Sequence, residues 1–431
     1  MVQKKHVERE KMTKQKICFV EPPYGWFAEQ LDPPFPLMYL AAVAEKQGWQ
    51  AEIVDMANPD SPIPEADIYA VTATSPQWKS AVKLSERLAK EHPESLRIVG
   101  GNHISYDLNE RTPTKFNVCV AGEGEQILDV ILRNPQKWKN ESQLGIRTDP
   151  IENLDAIPFP ARHLIDWSQY KRGIFWGKQL LEPAVGIISS RGCPNACIFC
   201  GSAVVFGHRT RFRSVSNIVT EMKEVISTLG YHGFNWHDDT FAINRNRVKE
   251  LCNEFKKLDV VWRCLTRVNT VDKEILSIMK DSGCKEIIYG IESFSQKILN
   301  NLHKGTTVEQ NLRAMKLTKK AGVQTKAGII VGSPGETWET IRETEKGLRE
   351  CPPDFWNVSV FTPYPGSEVF ANPEKFKVKL LTRDVNNYAM VSKSLKGNVV
   401  METEEMSKAD IEQARDELID LCLSLTGVES T

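Results

Sequence analysis

Between residues 184 and 366 the chain alternates two hydrophobic patterns. Short apolar, β-branched runs, such as "AVGII" from Ala184, are followed by longer stretches in which apolar positions recur every three to four residues. The first pattern predicts buried strands and the second predicts amphipathic helices. Six strands are expected, over "AVGIISSRG", "GFNWHDDTF", "VVWRCLTRV", "CKEIIYGIES", "QTKAGIIVGSPGET" and "FWNVSVFTPYPGSE". Helices are expected over "SVSNIVTEMKEVISTLG", "RNRVKELCNEFKKL", "DKEILSIMKDSG" and "TTVEQNLRAMKLTKKAG". Ser214 is placed to cap the first of these and Gly230 to end it. Repeated βα units predict a parallel sheet, here an incomplete TIM-like (β/α)6 barrel with its active site at the C-terminal strand ends.

Residues 17–150 carry a second α/β pattern. Five strands are expected at "KICFVEPP", "AEIVDM", "DIYAVTAT", "LRIVGGN" and "FNVCVAGEGE", with helices at "FPLMYLAAVAEKQGW", "WKSAVKLSERLAKEH" and "EQILDVILRN". This predicts a doubly wound, flavodoxin-like (Rossmann-like) domain whose ligands sit at the carboxyl ends of the strands. Those ends carry Pro22–Gly25, Thr72–Pro76, Gly100–His103 and Gly122–Gly124. None is a G-x-G-x-x-G after the first strand, which argues against a dinucleotide. Residues 151–183 read as a linker, and 367–431 as a short C-terminal region with one helix, "SKADIEQARDELIDLCLSLTG". Residues 1–16 are a charged tail with no apolar stretch, neither signal peptide nor membrane anchor. The net charge is −1 without a dense basic patch, so nucleic acid is not expected as a partner.

The chemistry concentrates in "SSRGCPNACIFCGSA", where Cys193, Cys197 and Cys200 fall in a C-x-x-x-C-x-x-C spacing. No second C-x-x-C pair exists to complete a tetrahedral zinc site, although His208 keeps a Cys3His site open. With no secretory signal, a reducing cytosol is expected, and the ten cysteines do not suggest a disulfide framework. Thiolates also select iron–sulfur clusters. Three thiolates on a 4Fe–4S cube leave one iron open to a substrate or cofactor.

The run "CPNACIFC" resembles the cluster motif of the radical S-adenosylmethionine (radical SAM) enzymes. The resemblance implies that the open iron holds the amino and carboxylate groups of SAM, whose reductive cleavage yields a 5′-deoxyadenosyl radical. It places Phe199 near the adenine and Asp238 or Asp239 on the SAM amino group, with "HDDTF" standing where "GGE" is usual. Glu292 and Ser293 match a ribose contact. "GIIVGSPGE", with Gly332, resembles the adenine-lining motif, the turn from Thr362 falls beside it, and Arg267 suits the SAM carboxylate.

The N-terminal domain resembles the cobalamin-binding domain fused to many radical SAM enzymes. "VGGNH" and "VAGEGE" match its turns and "LDAIPFPARHLID" its linker. The resemblance assigns Thr72, Thr74, Ser75, Gly100, Gly101, His103, Gly122, Glu123 and Gly124 to the corrinoid. "EPPYGWF" stands where D-x-H-x-x-G would supply a lower histidine, so no histidine ligand to cobalt is expected from that motif. A vestigial domain that binds nothing is the other reading.

Together these imply a cytoplasmic radical SAM enzyme with a 4Fe–4S cluster, SAM and cobalamin, most simply a C-methyltransferase of a small molecule. One SAM would methylate the corrinoid and a second would generate the substrate radical that accepts the methyl group. Non-methylating radical SAM chemistry (cyclisation, oxidation, rearrangement or aminocarboxypropyl transfer) stays open, as does a non-catalytic iron–sulfur sensor. A flavodoxin or ferredoxin electron donor and a monomeric state are expected. The lone C-terminal Cys422 and the missing second cysteine set argue against auxiliary clusters and against a methylthiotransferase.

Overall fold

The computed structural model describes residues 15–23, 33–56, 59–108, 113–170, 173–388 and 398–428. Most of the expected charged tail, and Tyr24 and Gly25 of the first strand-end turn, lie outside these residues.

The N-terminal sheet contains β1 (Lys16–Glu21), β2 (Gln50–Asp55), β3 (Ile68–Thr72), β4 (Leu96–Gly100), β5 (Val118–Ala121) and β6 (Leu144–Arg147). Their order is β2-β1-β3-β4-β5-β6, parallel throughout. Both faces are buried, as a parallel sheet requires. Ile17 and Phe19 pack toward the helices Phe35–Lys46 and Glu125–Arg133, whereas Cys18 and Val20 pack toward Trp78–Glu91. The sequence reading had five strands and missed β6. Its four residues, "LGIR", alternate between half-buried and exposed and carry too little apolar signal to stand out.

The second sheet begins with a hairpin of β7 (Gly173–Trp176) and β8 (Gln179–Ile187). A two-residue bridge then pairs β9 (Ser190–Arg191) with β10 (Arg211–Phe212). The sheet continues through β11 (Gly233–Trp236), β12 (Val261–Thr266), β13 (Cys284–Glu292), β14 (Gln324–Val331) and β15 (Phe355–Val360). The order is β15-β14-β13-β12-β11-β8-β7. The six strands β8 and β11 to β15 run parallel, giving the expected (β/α)6 partial barrel. The antiparallel β7 and the first half of β8 occupy the end of the segment read as a linker.

Strand residues facing outward, among them Trp236, Trp262, Tyr289 and Val358, share one core with the surrounding helices. The C-terminal helix Lys408–Thr426 joins this core through Ile411, Ala414 and Leu418. The C-terminal region also holds a small antiparallel pair, β16 (Val378–Leu380) with β17 (Met401–Thr403), beyond the helix the sequence foretold. Ser214 does cap Val215–Leu229, its hydroxyl accepting from the Asn217 N–H at 3.2 Å, and Gly230 ends that helix at φ 69°. No described helix is long and apolar enough to cross a membrane.

Candidate active site between the two sheets

The cysteine loop leaves the barrel immediately after β9. Cys193 and Cys197 are half-buried and Cys200 is exposed, whereas the other seven cysteines are buried; all ten are free thiols. Each loop sulfur receives a donor: Asn195 Nδ2 to Cys193 at 3.2 Å, Arg267 Nη1 to Cys197 at 3.6 Å, and the Ser202 N–H to Cys200 at 3.5 Å. Such donors tune a bound cluster. Among the described residues, no three His, Cys, Asp or Glu side chains converge as ligands of a single ion.

Asp238 and Asp239 follow β11 and divide the work. Asp238 is buried and accepts four hydrogen bonds, from the Ser189 N–H (2.6 Å) and hydroxyl (2.5 Å) and from the Ser190 N–H (3.2 Å) and hydroxyl (2.7 Å). Its carboxylate holds the strand end that launches the cysteine loop. Asp239 is less buried, and its partial burial pushes its carboxyl up from the usual range. Arginines pin the same strand end through its carbonyls: Arg162 to Gly186 (2.9 Å), Arg213 to Ile188 (2.8 Å) and Arg247 to Ser189 (2.9 Å). The buried Glu221 pairs with Arg162 (2.6 Å) and with Arg213.

The remaining barrel residues proposed for SAM sort by where their polar atoms go. Arg267 also donates to the Lys304 carbonyl and is 6% exposed, so it bridges the cysteine loop to the segment after β13. Glu292 ends β13 at a bulge with φ 61°, a strained conformation for a non-glycine. A buried ion pair with Lys304 Nζ at 2.5 Å fixes it there. A side chain at Gly290 would crowd that pair, since an added Cβ would stand 2.8 Å from Lys304 Nζ. Ser293 is fully buried, its hydroxyl bonded to Thr344 (3.0 Å) and to the Ser295 N–H (3.0 Å), which turns it away from the strand end. Gly332 takes φ 86°, and its N–H donates to Glu336 at 2.5 Å. Burial pushes the Glu336 carboxyl up to about 8. Phe199 meets Phe361 edge-on at 6.4 Å, and the buried Thr362 hydroxyl donates back to the Val360 carbonyl at 3.2 Å.

A cavity of about 580 Å³ opens at the carboxyl ends of the N-terminal strands. Of the residues proposed for the corrinoid, Thr72, Thr74, Gly100, Gly101, Gly122, Glu123 and Gly124 line it. Ser75 and His103 do not. They are buried behind its wall, 3.2 Å from each other, with the imidazole stacked on Trp78 at 4.6 Å. The described lining contains no histidine. Gly101 and Gly122 are glycine for reasons of the fold itself. Both have positive φ, and an added Cβ would press on Ala73 and Thr148. The cavity runs inward between sheet and helices past Ile98, Val120 and Ile131, and outward to Ile188, Arg191 and Phe206 of the barrel. Sequence reasoning missed Arg191. It pairs with Glu123 (2.9 Å) and Glu125 (2.6 Å), and Arg211 joins it on Glu123. All four side chains are at most 9% exposed. Arg191 is two residues from Cys193, so this lattice ties the cavity wall to the cysteine loop.

A model of the radical SAM superfamily matches residues 187–347, a span that opens at the end of β8 and includes the cysteine loop, Asp238/Asp239, Arg267 and Glu292. Residues 187–347 form a radical SAM domain. The chain is 29% identical over 393 residues to an uncharacterized methyltransferase of Pyrococcus horikoshii, covering 83% of each. It is 28% identical over 417 residues to the anaerobic magnesium-protoporphyrin IX monomethyl ester cyclase of Rubrivivax gelatinosus, covering 88% of this chain and 73% of that one. Among solved structures, its fold is similar to the radical SAM methyltransferase TsrM from Kitasatospora setae with cobalamin and a [4Fe-4S] cluster bound. The TM-score is 0.67 at 15% identity, over 96% of this chain and 89% of that one. The cobalamin-dependent radical enzyme OxsB is similar at TM-score 0.67 and 17% identity, over 94% of this chain and 67% of that one.

Proposed function

We propose that this enzyme methylates carbon in a small-molecule substrate, using a 4Fe–4S cluster, SAM and cobalamin. The observation that carries the reading is the shared rim. Arg191, two residues before the first cluster cysteine, is also part of the wall of the Gly100–Gly124 cavity. Cys193, Cys197 and Cys200 would hold the cluster, and their donor set suits it. Asp239 and Glu292, through the oxygen not engaged by Lys304, would hold the amino group and ribose of SAM. Thr72, Thr74, Gly100 and Gly124 would border the corrinoid, whose nucleotide tail suits the apolar depth at Ile98 and Val120. When bound, cluster and SAM supply hydrogen-atom abstraction from an unactivated carbon, and the corrinoid supplies the methyl group. The protein's part is to hold the two sites edge to edge and keep water from the space between them.

The similarity in sequence to methyltransferases and the fold shared with TsrM and OxsB support this. The similarity to the ring-forming cyclase over most of the chain supports a second reading, non-methylating radical chemistry on the same scaffold. Anaerobic reconstitution with iron, sulfide and hydroxocobalamin separates them. Methylation predicts stoichiometric corrinoid and formation of both S-adenosylhomocysteine and 5′-deoxyadenosine. 5′-Deoxyadenosine without S-adenosylhomocysteine would favour the second reading. Paramagnetic resonance of the reduced corrinoid should show no nitrogen splitting from a histidine. A small flavodoxin- or ferredoxin-like protein would supply the electron.

A further inference from the structure

The helix Asn102–Tyr106 joins the two sites in five residues. Its N-terminal side belongs to the cavity: Gly101, Asn102 and Ser105 line it. Ser105 is locked there, its hydroxyl donating to the Gly101 carbonyl (2.9 Å) and accepting from the Gly122 N–H (2.9 Å), while Arg147 donates to its carbonyl (3.0 Å). The next residue points the other way. The Tyr106 ring lies against two glycines on two different barrel loops. A Cβ added to Gly201, directly after Cys200, would stand 2.6 Å from the Tyr106 hydroxyl and ring edge. A Cβ added to Gly366, in the turn after β15, would stand 2.5 Å from its Cδ1. Real Cβ atoms do not approach so closely, so the ring occupies a notch that only the absence of both side chains leaves open. Gly201 has an ordinary helical backbone, φ −94° and ψ −2°, that any residue adopts. Space is therefore what requires glycine at that position. Tyr106 is half-buried, with Cys200 and Asp239 nearby.

We infer that Tyr106 is a positioning residue of the radical SAM site supplied by the N-terminal domain. Its ring wedges between the cysteine loop at Gly201 and the turn at Gly366, and fixes and shields the side of the cluster site nearest the corrinoid cavity. The inference rests on the cluster reading above. It deepens it by making the site incomplete without the cavity domain.

The test uses the full chain, with and without its reconstituted cluster. In the cluster-free protein, Gly201→Ala should lower the thermal midpoint, because the new methyl collides with the ring. Adding Tyr106→Ala should restore most of that loss, because the collider is gone. In the reconstituted protein, Tyr106→Ala should speed iron release to an added chelator roughly tenfold, the factor that about 1.4 kcal/mol of lost packing represents. Tyr106→Phe, which keeps the ring, should release iron at the parent rate. Additive midpoint losses in the double variant would overturn the wedge. So would parent-like iron release from Tyr106→Ala, or equal acceleration in Tyr106→Phe. A parent protein that takes up no iron at all would instead overturn the cluster reading, while the midpoint cycle would still judge the wedge.

Discussion

At the residue scale, neighbouring side chains of one type carry different tasks. Cys193→Ala, Cys197→Ala or Cys200→Ala should each abolish cluster retention, since each would remove one of the three proposed ligands. Cys252→Ala and Cys284→Ala should retain iron, because those thiols are buried in the barrel core. Iron and sulfide content after anaerobic reconstitution decides this. The two aspartates should part in the same way. Asp238→Ala orphans donors on Ser189 and Ser190, at about 1–3 kcal/mol for each left unsatisfied. Its first effect should be a lower denaturation midpoint in the cluster-free protein. Asp239→Ala should leave that midpoint and the iron content near the parent and weaken SAM binding by about 1.5–3 kcal/mol, measured by titration. Glu336 makes a pH prediction. Its folded pKa of about 8 lies above the unfolded value of 4.5, so the folded state holds the extra proton between them. Stability from this group is full below the lower value and is lost as pH rises toward 8. Glu336→Gln should flatten that decline, seen in unfolding midpoints at pH 5 and pH 8.

At the element scale, the end of β13 is the most constrained part of the site. Glu292 keeps its left-handed backbone because Lys304, on the following segment, draws its carboxylate inward. Removing either partner leaves a buried charge alone, which costs about 3–5 kcal/mol. Lys304→Met should therefore destabilise the chain by that order in denaturant unfolding, although Lys304 belongs to no recognisable motif. Glu292→Ala should do the same, so its effect on SAM is best read from Glu292→Gln, which keeps a hydrogen bond to the ammonium. The short strands obey the same logic of context. β6 forms because β5 offers it a ladder, and β7 because a turn at Gly177, with φ 58°, folds it back on β8.

At the scale of the whole molecule, the two sheets are joined by buried charge as well as by the chain between them. Glu123 faces Arg191 and Arg211 across the domain boundary, and both guanidiniums lose a partner if it goes. Glu123→Ala should cost about 3–5 kcal/mol in unfolding experiments. Because Arg191 leads straight into the cysteine loop, the same variant should also lose iron faster than the parent under a chelator. A change confined to corrinoid uptake, with stability and cluster intact, would show that Glu123 serves only the cavity.

The sequence by itself determined the period of the longer elements, hence two α/β sheets built mainly of parallel strands, and the three-cysteine spacing, because both are local in the chain. It also placed Thr72, Gly100 and Gly122 at strand ends, where open α/β folds bind ligands. It did not separate Asp238 from Asp239, since neighbours differ only in which way they face. It put Ser75 and His103 in the cavity because strand-end turns look alike until packing decides which side chains turn inward. It gave no sign of Lys304, Arg191 or Tyr106. Each acts on residues distant in sequence, and only tertiary structure sets a guanidinium from the barrel against Glu123, or seats a tyrosine from one domain against two glycines of the other.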